Sequence, residues 1–223
     1  MLKIPWLEDT DYTFPDVGTA LTEPDGLLAV SHRLTPELVI AAYRHGIFPW
    51  YTEGQPVLWW SPDPRCVLYP QDFHVSRSLR RTLNNSLFEI RIDTAFRQVM
   101  HACAEPRRNT EEPGTWITDD MVDVYYQLHE QGIAHSIECW HKDQLAGGIY
   151  GLVMGDMFFG ESMFSRMKDA SKVAIHHICR NIGPSLIDAQ VYSTHLESLG
   201  AKLIERKAFI EHIDTHIDFS INI

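Results

Sequence analysis

The 223-residue sequence has few cysteines, no long apolar run and a shortage of positive charge, and each shortage argues against a class of protein. Its four cysteines are far apart and form no C-x-x-C pair, so we expect reduced, buried thiols rather than disulfides or a zinc knuckle. No stretch approaches the roughly 20 apolar residues of a membrane-spanning helix, and the N-terminus has no apolar signal region. We therefore expect a globular, cytoplasmic protein.

The charge is acidic overall but unevenly distributed. Lys and Arg total 19 against 30 Asp and Glu, which gives −11 and counts against a protein that binds nucleic acid through non-specific charge. Residues 1–25 carry −5 and residues 105–123 carry −4, so the remainder is nearly neutral. Residues 64–81 form one basic stretch, with Arg65, Arg77, Arg80 and Arg81 against a single acid. On charge alone, the favoured interpretation is a solvated helix face.

Signatures of bound nucleotides and metals are also missing. The sequence contains neither G-x-x-x-x-G-K-[ST] nor G-x-G-x-x-G. Among 12 histidines, His212 and His216 have the i, i+4 spacing of half a metal site, but no H-E-x-x-H motif accompanies them. We predict no metal and no cofactor.

Proline divides the chain. Eight prolines interrupt the first 64 residues and leave room for one good helix, with Thr35 as its N-cap, Pro36 in its first turn and Gly46 at its end. We place a domain boundary near Pro64, which gives a small N-terminal domain (1–63) and a larger domain (64–223).

Strand and helix signals alternate after this boundary. Alternating apolar residues predict a β-meander over 135–159. The other predicted elements are helices at 76–84, at 93–104 behind Asp93, at 118–131 behind Thr118, at 169–180 and at 194–199, and strands at 186–191 and 202–204. Nothing is assigned after residue 204. The order of these elements predicts an α+β fold.

Two polar positions on apolar strands could carry chemistry. Glu161 follows a glycine-rich strand region, which indicates either a bulge with a salt-bridged carboxylate or a close approach to a ligand. Asp188 and Gln190 are two residues apart on a strand and therefore share a face. They form either a structural hydrogen-bond network or a carboxylate and amide aimed at a reacting group.

Four tryptophans occur in loop-like surroundings rich in Pro, Gly and Thr: Trp50, Trp59, Trp60 and Trp116. Tryptophans on loops offer flat platforms for stacking a nucleobase. Packing in the core is the default interpretation of any single one.

Several of these features occur together in one order that resembles a known family. They are GIFPW (46–50), WWSPDPR (59–65), GTWIT (114–118), HSIE (135–138), GGIYG (147–151), GESMFSRM (160–167) and LIDAQ (186–190). From about Phe14 to Gly200 the sequence resembles the leucyl/phenylalanyl-tRNA–protein transferases of bacteria.

The resemblance implies a small N-terminal domain packed on a domain with the fold of the GCN5-related N-acyltransferases. It also implies transfer of Leu or Phe, with Met as a further candidate, from aminoacyl-tRNA to proteins with N-terminal Arg or Lys, which marks them for degradation by the N-end rule pathway. The implied site residues are the catalytic pair Asp188 and Gln190, Trp50 and Trp116 for the terminal adenosine, Glu161 at the pocket mouth, Ile149, Phe158, Met163, Ile175 and Ile187 for the aminoacyl side chain, and Arg77, Arg80 and Arg81 for the tRNA.

For the mechanism, our hypothesis is that the Gln190 side-chain carbonyl accepts a hydrogen bond from the attacking amine while Asp188 fixes and polarises the Gln190 amide. Two alternatives stay open from the sequence. One is an N-acyltransferase of the same fold that uses acyl-CoA, although no Gly-rich pyrophosphate loop is present. The other is a non-enzymatic RNA-binding protein, in which Asp188 and Gln190 would be purely structural.

Overall fold

The computed structural model describes residues 4–8, 12–105 and 117–217. Its α-helices are α1 (Pro36–Tyr43), α2 (Arg77–Asn84), α3 (Phe96–Ala104), α4 (Asp119–Glu130), α5 (Ala170–His177), α6 (Thr194–Ser198) and α7 (Arg206–His216). Its strands are β1 (Leu27–Ser31), β2 (Phe48–Pro49), β3 (Val57–Trp60), β4 (Arg65–Leu68), β5 (Glu89–Ile92), β6 (Ala134–His141), β7 (Gln144–Met154), β8 (Met157–Ser165), β9 (Leu186–Gln190) and β10 (Lys202–Ile204).

The two helix starts that the sequence marks with a hydroxyl residue, Thr35 and Thr118, are confirmed. The Thr35 hydroxyl accepts a hydrogen bond from the backbone N of Leu38, and Ser76 and Thr118 cap α2 and α4 in the same way. These side chains satisfy backbone donors that have no partner within the helix. After α5 the chain continues as a short π-helical segment, Ile178–Ile182.

The predicted start of α3 behind Asp93 is wrong, because Asp93 serves another element. Its carboxylate accepts from the backbone N of Ser136 at 2.8 Å and bonds the His135 ring at 2.7 Å. The buried Glu138 of β6 takes the capping role instead, and accepts from the backbone N atoms of Thr94 and Ala95. The N-terminus of α3 is therefore stabilised by a carboxylate that is distant in sequence.

In the part of the chain that the structure describes, seven strands form one sheet in the order β10-β4-β9-β8-β7-β6-β5, and β1, β3 and β2 form a second, three-stranded sheet. Neighbouring strands in both sheets are antiparallel, except that β8 and β9 run parallel. The predicted meander corresponds to β6, β7 and β8. The α+β prediction is confirmed.

The two faces of the large sheet have separate cores. Successive residues on its strands alternate between two hydrophobic clusters, as Phe158 and Phe159 do on β8 and Leu186 and Ile187 do on β9. Helices α1, α3, α4 and α7 and the small sheet contribute to one cluster, whereas α5 and Leu79 of α2 contribute to the other. Because strands in the middle of the sheet are covered on both faces, polar groups there need internal partners.

Helix α7 lies beyond the last element that the sequence predicts, yet it is part of the core. Phe209 and Ile213 are fully buried in the cluster that also contains α1. Where α7 ends, its backbone lies against Gly155 in the β7–β8 turn, so close that a Cβ atom on this glycine would overlap the carbonyl oxygen of His216. Gly155 also has a positive φ of 59°, which glycine adopts without strain.

We predict that Gly155→Ala destabilises the protein by at least about 2 kcal/mol, because the strain of a positive φ adds to the loss of close packing against α7. Gly132→Ala is the matched control. Gly132 also has a positive φ, of 74°, but nothing lies within 4 Å of its added Cβ, so only about 1 kcal/mol is expected. Urea unfolding of both variants measures the difference, and equal losses would contradict the packing at α7.

Candidate active site

A cavity lies where the two parallel strands separate. Strands β8 and β9 are paired from Met157 and Leu186 as far as Phe159 and Asp188, and the residues that follow on both strands line a cavity of about 690 Å³. This volume lies within the range of small-molecule sites. Two parallel strands that part in this way leave a cleft with backbone on both sides, into which an extended group can enter.

Most of the residues that the resemblance implies for the site meet in this cavity. Those that line it are Trp50, Ile149, Glu161, Met163, Ile175, Ile187, Asp188 and Gln190. Phe158 does not: it is buried in the core, with its ring against Gly151, where a Cβ atom would lie 2.8 Å from the ring. Trp116 is outside the described residues.

A bulge on each strand aims a polar side chain at the cavity. On β8, Tyr150 pairs with Ser162 and Gly151 with Gly160, so Glu161 between them is the extra residue. On β9, Asp188 and Gln190 pair with consecutive residues of β4, which makes Ala189 the extra residue. Bulges bend a strand and redirect its side chains. Each bulge therefore brings one member of a polar pair, Glu161 or Gln190, to the gap between the strands.

Glu161 and Gln190 are joined in a buried network. The Gln190 Nε2 atom donates to Glu161 Oε1 at 3.1 Å and lies 3.3 Å from the Tyr43 hydroxyl. The hydroxyls of Tyr43 and Tyr125 donate to the two carboxylate oxygens of Glu161. Since the amide nitrogen of Gln190 faces this carboxylate, its carbonyl oxygen is at the opposite end of the amide group.

The environment of Glu161 favours its neutral form. Glu161 is 8% exposed, and burial raises its pKa from 4.5 to about 7, with the charge of Asp188 acting in the same direction. The hydrogen bonds from the two tyrosines and from Gln190 oppose this shift. Burial also raises the pKa values of Tyr43 and Tyr125 well above 10, so both phenols stay protonated donors.

Asp188 is held in an ion pair with Arg65. The Arg65 Nε and Nη2 atoms donate to the two carboxylate oxygens of Asp188 at 2.8 and 2.7 Å, and Nη1 donates to the carbonyl of Gly46 at 3.1 Å. Both side chains are almost fully buried. The Arg65 guanidinium also lies 4.6 Å from the ring centres of Phe48 and Phe209. Arg65, which the charge count placed in a basic surface stretch, is therefore an internal residue.

The contact between the proposed catalytic residues differs from our hypothesis. Asp188 Oδ1 accepts a hydrogen bond from the backbone N of Gln190 at 2.9 Å, and the Gln190 side-chain amide is bound by Glu161 and Tyr43 instead. Gln190 has a φ of 59°, so the backbone turns at this residue out of the extended conformation. Asp188 therefore fixes the backbone at Gln190, and it does not polarise the side-chain amide.

The tryptophans in the described residues divide into surface and core. Trp50 at the cavity edge is 43% exposed, and its carbonyl accepts from Trp60 Nε1 at 2.7 Å. Trp59 is fully buried, and its Nε1 atom donates to the hydroxyl of Ser31 at 2.9 Å. Trp59 is thus a core residue and no stacking platform, and its ring packs edge-on against Phe14 with 5.0 Å between the ring centres.

The predicted basic residues lie on α2, whose surface is polar. Arg77, Arg80 and Arg81 are exposed, and Thr82 of the same helix donates to Asp169 just before α5 at 3.1 Å. Within the described ranges, no group of three or more His, Cys, Asp or Glu side chains could hold a metal ion. His212 and His216 stack on each other at 3.9 Å. No helix in those ranges is long and apolar enough to cross a membrane.

The sequence analysis missed the residues that hold the polar groups in place: Arg65, Tyr43 and Tyr125. Tyr43 belongs to the apolar stripe of α1 and Tyr125 to that of α4, where a tyrosine is indistinguishable from a core residue. The one available signal was that buried strands carrying Glu161 and Asp188 require partners for these carboxylates.

We predict that Glu161→Gln alters the pH dependence of stability. The folded state binds the Glu161 proton more tightly than the unfolded chain does, so protonation of Glu161 adds to the unfolding free energy. This contribution is complete below about pH 4.5 and is lost as the pH rises through about 7. The unfolding free energy of the wild type relative to the variant should therefore fall between about pH 5 and pH 8. Urea unfolding across this range measures it, and a difference independent of pH would contradict the raised pKa.

Comparison with known proteins identifies relatives along almost the whole chain. The model of the leucyl/phenylalanyl-tRNA protein transferase family matches residues 67–214, and the model of the N-terminal domain of that family matches residues 32–63. A leucyl/phenylalanyl-tRNA–protein transferase of Stutzerimonas stutzeri is 53% identical over 218 residues, 96% of each chain. One of Chromohalobacter salexigens is 51% identical, over 98% of this chain and 86% of the relative.

The similarity to solved structures is much weaker. A GCN5-related N-acetyltransferase from Kribbella flavida matches 75% of this chain and 60% of its own at 10% identity, with a TM-score of 0.36. L-PGS from Bacillus licheniformis matches 75% of this chain and 54% of its own at 9% identity, with a TM-score of 0.38. A TM-score below 0.5 is too low for either match to bear on the fold. The sequence matches are decisive: the chain belongs to the leucyl/phenylalanyl-tRNA–protein transferase family.

Proposed function

We propose that this chain is an aminoacyltransferase that moves Leu or Phe from aminoacyl-tRNA to the α-amine of proteins with N-terminal Arg or Lys, and so marks them for N-end rule degradation. Family membership supports the class of reaction. The observation that carries the proposal is the cavity between β8 and β9, where the Gln190 amide is anchored beside an apolar compartment. That compartment suits an aminoacyl side chain, and the polar network beside it suits an amine.

The donor substrate fits the cavity in two parts. Ile149, Met163, Ile175 and Ile187 form its apolar wall, which receives the Leu or Phe side chain. The exposed ring of Trp50 at the edge stacks on the terminal adenosine. The family resemblance implies the same role for Trp116. An apolar compartment discriminates against a smaller side chain by about 1–3 kcal/mol, and desolvation excludes polar side chains more strongly.

The chemical step needs orientation more than a strong base. The aminoacyl ester is already activated, and an α-amine with a pKa of about 7.7–8.0 is partly neutral near pH 7. Its nitrogen attacks the ester carbonyl carbon, the C–N bond forms, and the bond to the ribose oxygen breaks. The nitrogen loses one proton, and the departing ribose hydroxyl gains one. No oxidant, reductant or cofactor is required for this balance.

Gln190 orients the amine in this scheme. Its Nε2 atom is held by Glu161 and Tyr43, which leaves the side-chain carbonyl oxygen to accept a hydrogen bond from the attacking nitrogen. An amide does not store a proton, so the proton passes to water or to the ribose oxygen. Glu161, with its pKa of about 7, carries partial negative charge near neutral pH and attracts the cationic acceptor.

One assay tests the proposal against the two alternatives. The protein is incubated with a peptide bearing N-terminal Arg and with either radiolabelled Phe-tRNA or radiolabelled acetyl-CoA. We expect label on the peptide from Phe-tRNA alone. Label from acetyl-CoA would favour an acyl-CoA transferase, and tRNA binding without transfer would favour a non-enzymatic RNA-binding protein. A peptide with a blocked α-amine is the control for the acceptor group.

We predict that Gln190→Ala lowers kcat/KM for the acceptor peptide by about 100-fold at saturating Phe-tRNA, since the amine loses its positioning contact. Gln144→Ala removes an amide of the same kind from an exposed position at the start of β7, and should leave kcat/KM unchanged. Both variants are compared by steady-state kinetics after their unfolding temperatures have been checked. Wild-type kcat/KM in Gln190→Ala would remove Gln190 from the mechanism.

A further inference from the structure

Arg166 is fixed by its backbone at the end of β8, beside the cavity. Its backbone N donates to the carbonyl of Ala146 at 2.8 Å, and the following residue, Met167, donates to the same carbonyl at 3.0 Å. The side chain is 49% exposed, and its guanidinium carbon lies 5.4 Å from the centre of the Phe164 ring. The backbone is thus anchored on β7, while the charged end of the side chain reaches solvent.

The guanidinium of Arg166 is at the cavity mouth. Phe164, Ser165 and Glu105 all line the cavity, and Arg166 Nη2 donates to Glu105 Oε1 at 2.5 Å. Among the lining residues that the structure describes, none is Lys or Arg. Arg166 therefore places a half-exposed positive charge in direct contact with a carboxylate that lines the cavity.

Other positively charged side chains follow Arg166 in the sequence, and more lie on α2. Lys168 is exposed two residues after Arg166, and Lys172 follows in α5. Asp169 between them accepts a hydrogen bond from Thr82 on α2, the helix that also carries Arg80 and Arg81. Positive side chains therefore flank this contact along both segments, and Lys172 Nζ lies 4.0 Å from Asp169 Oδ1.

We propose that Arg166 binds the phosphodiester that joins the last two nucleotides of aminoacyl-tRNA, and that Glu105 occupies Arg166 when no RNA is bound. This inference rests on the proposed function, because the aminoacyl-adenosine must enter the cavity. Once it has entered, the phosphate on its 5′ side lies at the mouth. A guanidinium at that place can form two parallel hydrogen bonds with the phosphate oxygens.

Replacing Glu105 by phosphate as the partner of Arg166 costs little free energy. Glu105 and Arg166 have side-chain exposures of 58% and 49%, and ion pairs so exposed to water contribute little to stability. A phosphodiester keeps its negative charge at all physiological pH values and offers two oxygens to the guanidinium fork. The pair with Glu105 therefore orients Arg166 in advance without competing strongly for it.

The test compares two donors that differ by one cytidylate, that is, by a cytidine and the phosphate that joins it to adenosine. One is the phenylalanyl ester of adenosine, and the other is the phenylalanyl ester of the dinucleotide CpA. The quantity measured is the ratio of the KM for the dinucleotide to the KM for the nucleoside. We expect Arg166→Gln to raise this ratio about tenfold, since the phosphate loses a charge-assisted hydrogen bond. Glu105→Gln should lower it about two- to threefold, because Arg166 is released.

Arg97→Gln is the matched control. Arg97 is also 49% exposed, pairs with Asp123 at 3.5 Å and lies over the ring of Tyr126, but neither it nor Asp123 lines the cavity. This variant should leave the ratio at its wild-type value. It removes the same charge and a similar packing contact, so it separates a local phosphate contact from a general loss of positive charge.

The outcomes separate this inference from the proposed function. If no donor supports transfer in the wild type, the proposed function fails. If transfer occurs but Arg166→Gln leaves the ratio unchanged, or Arg97→Gln raises it as much, then Arg166 does not bind the phosphate. A cytidine-free donor, adenosine 5′-monophosphate esterified with phenylalanine, should reproduce the tenfold effect, because it retains the phosphate. An effect seen only with CpA would assign the contact to cytidine and overturn the proposal.

Discussion

The site depends on one buried ion pair, between Arg65 on β4 and Asp188 on β9. Removing two charges from water costs several kcal/mol per ion, and such a pair persists only when every remaining donor and acceptor is satisfied. Here the remaining nitrogen of the guanidinium, Nη1, donates to the Gly46 carbonyl after α1. The guanidinium also packs against the rings of Phe48 and Phe209. One side chain thus joins the helix, the two strands and α7 around the base of the cavity.

Because of this ion pair, the two neighbouring carboxylates Asp188 and Glu161 have different roles. Asp188 has a permanent cation and a backbone donor, so it serves as a rigid support for the turn at Gln190. Glu161 has only neutral donors around it, and burial therefore leaves its proton affinity high. The cavity consequently contains one carboxylate in a buried ion pair and one whose charge changes near neutral pH. Gln190 lies between them and contacts both, through its backbone N and through its side chain.

Local signals carried most of what the sequence could predict. Hydroxyl caps located the starts of α1 and α4, and alternation located the meander, because these patterns depend on neighbouring residues. The long-range features were not predictable in this way. The sequence predicts Asp93 as a helix cap, but Asp93 binds β6, and the partners of Glu161 come from two helices distant in sequence. Family motifs, not periodicity, placed Glu161, Asp188 and Gln190 in one site.

The contacts of Arg65 also have a consequence for synthesis of the protein. Arg65 and Asp188 are 123 residues apart, and Phe209 is further along the chain. A nascent chain exposes its segments in order, so the early half leaves the ribosome with the Arg65 charge uncompensated. The cleft cannot close around Gln190 until β9 and α7 have also emerged. A protein that shares aminoacyl-tRNA with translation therefore becomes competent to bind it only after α7 has left the ribosome.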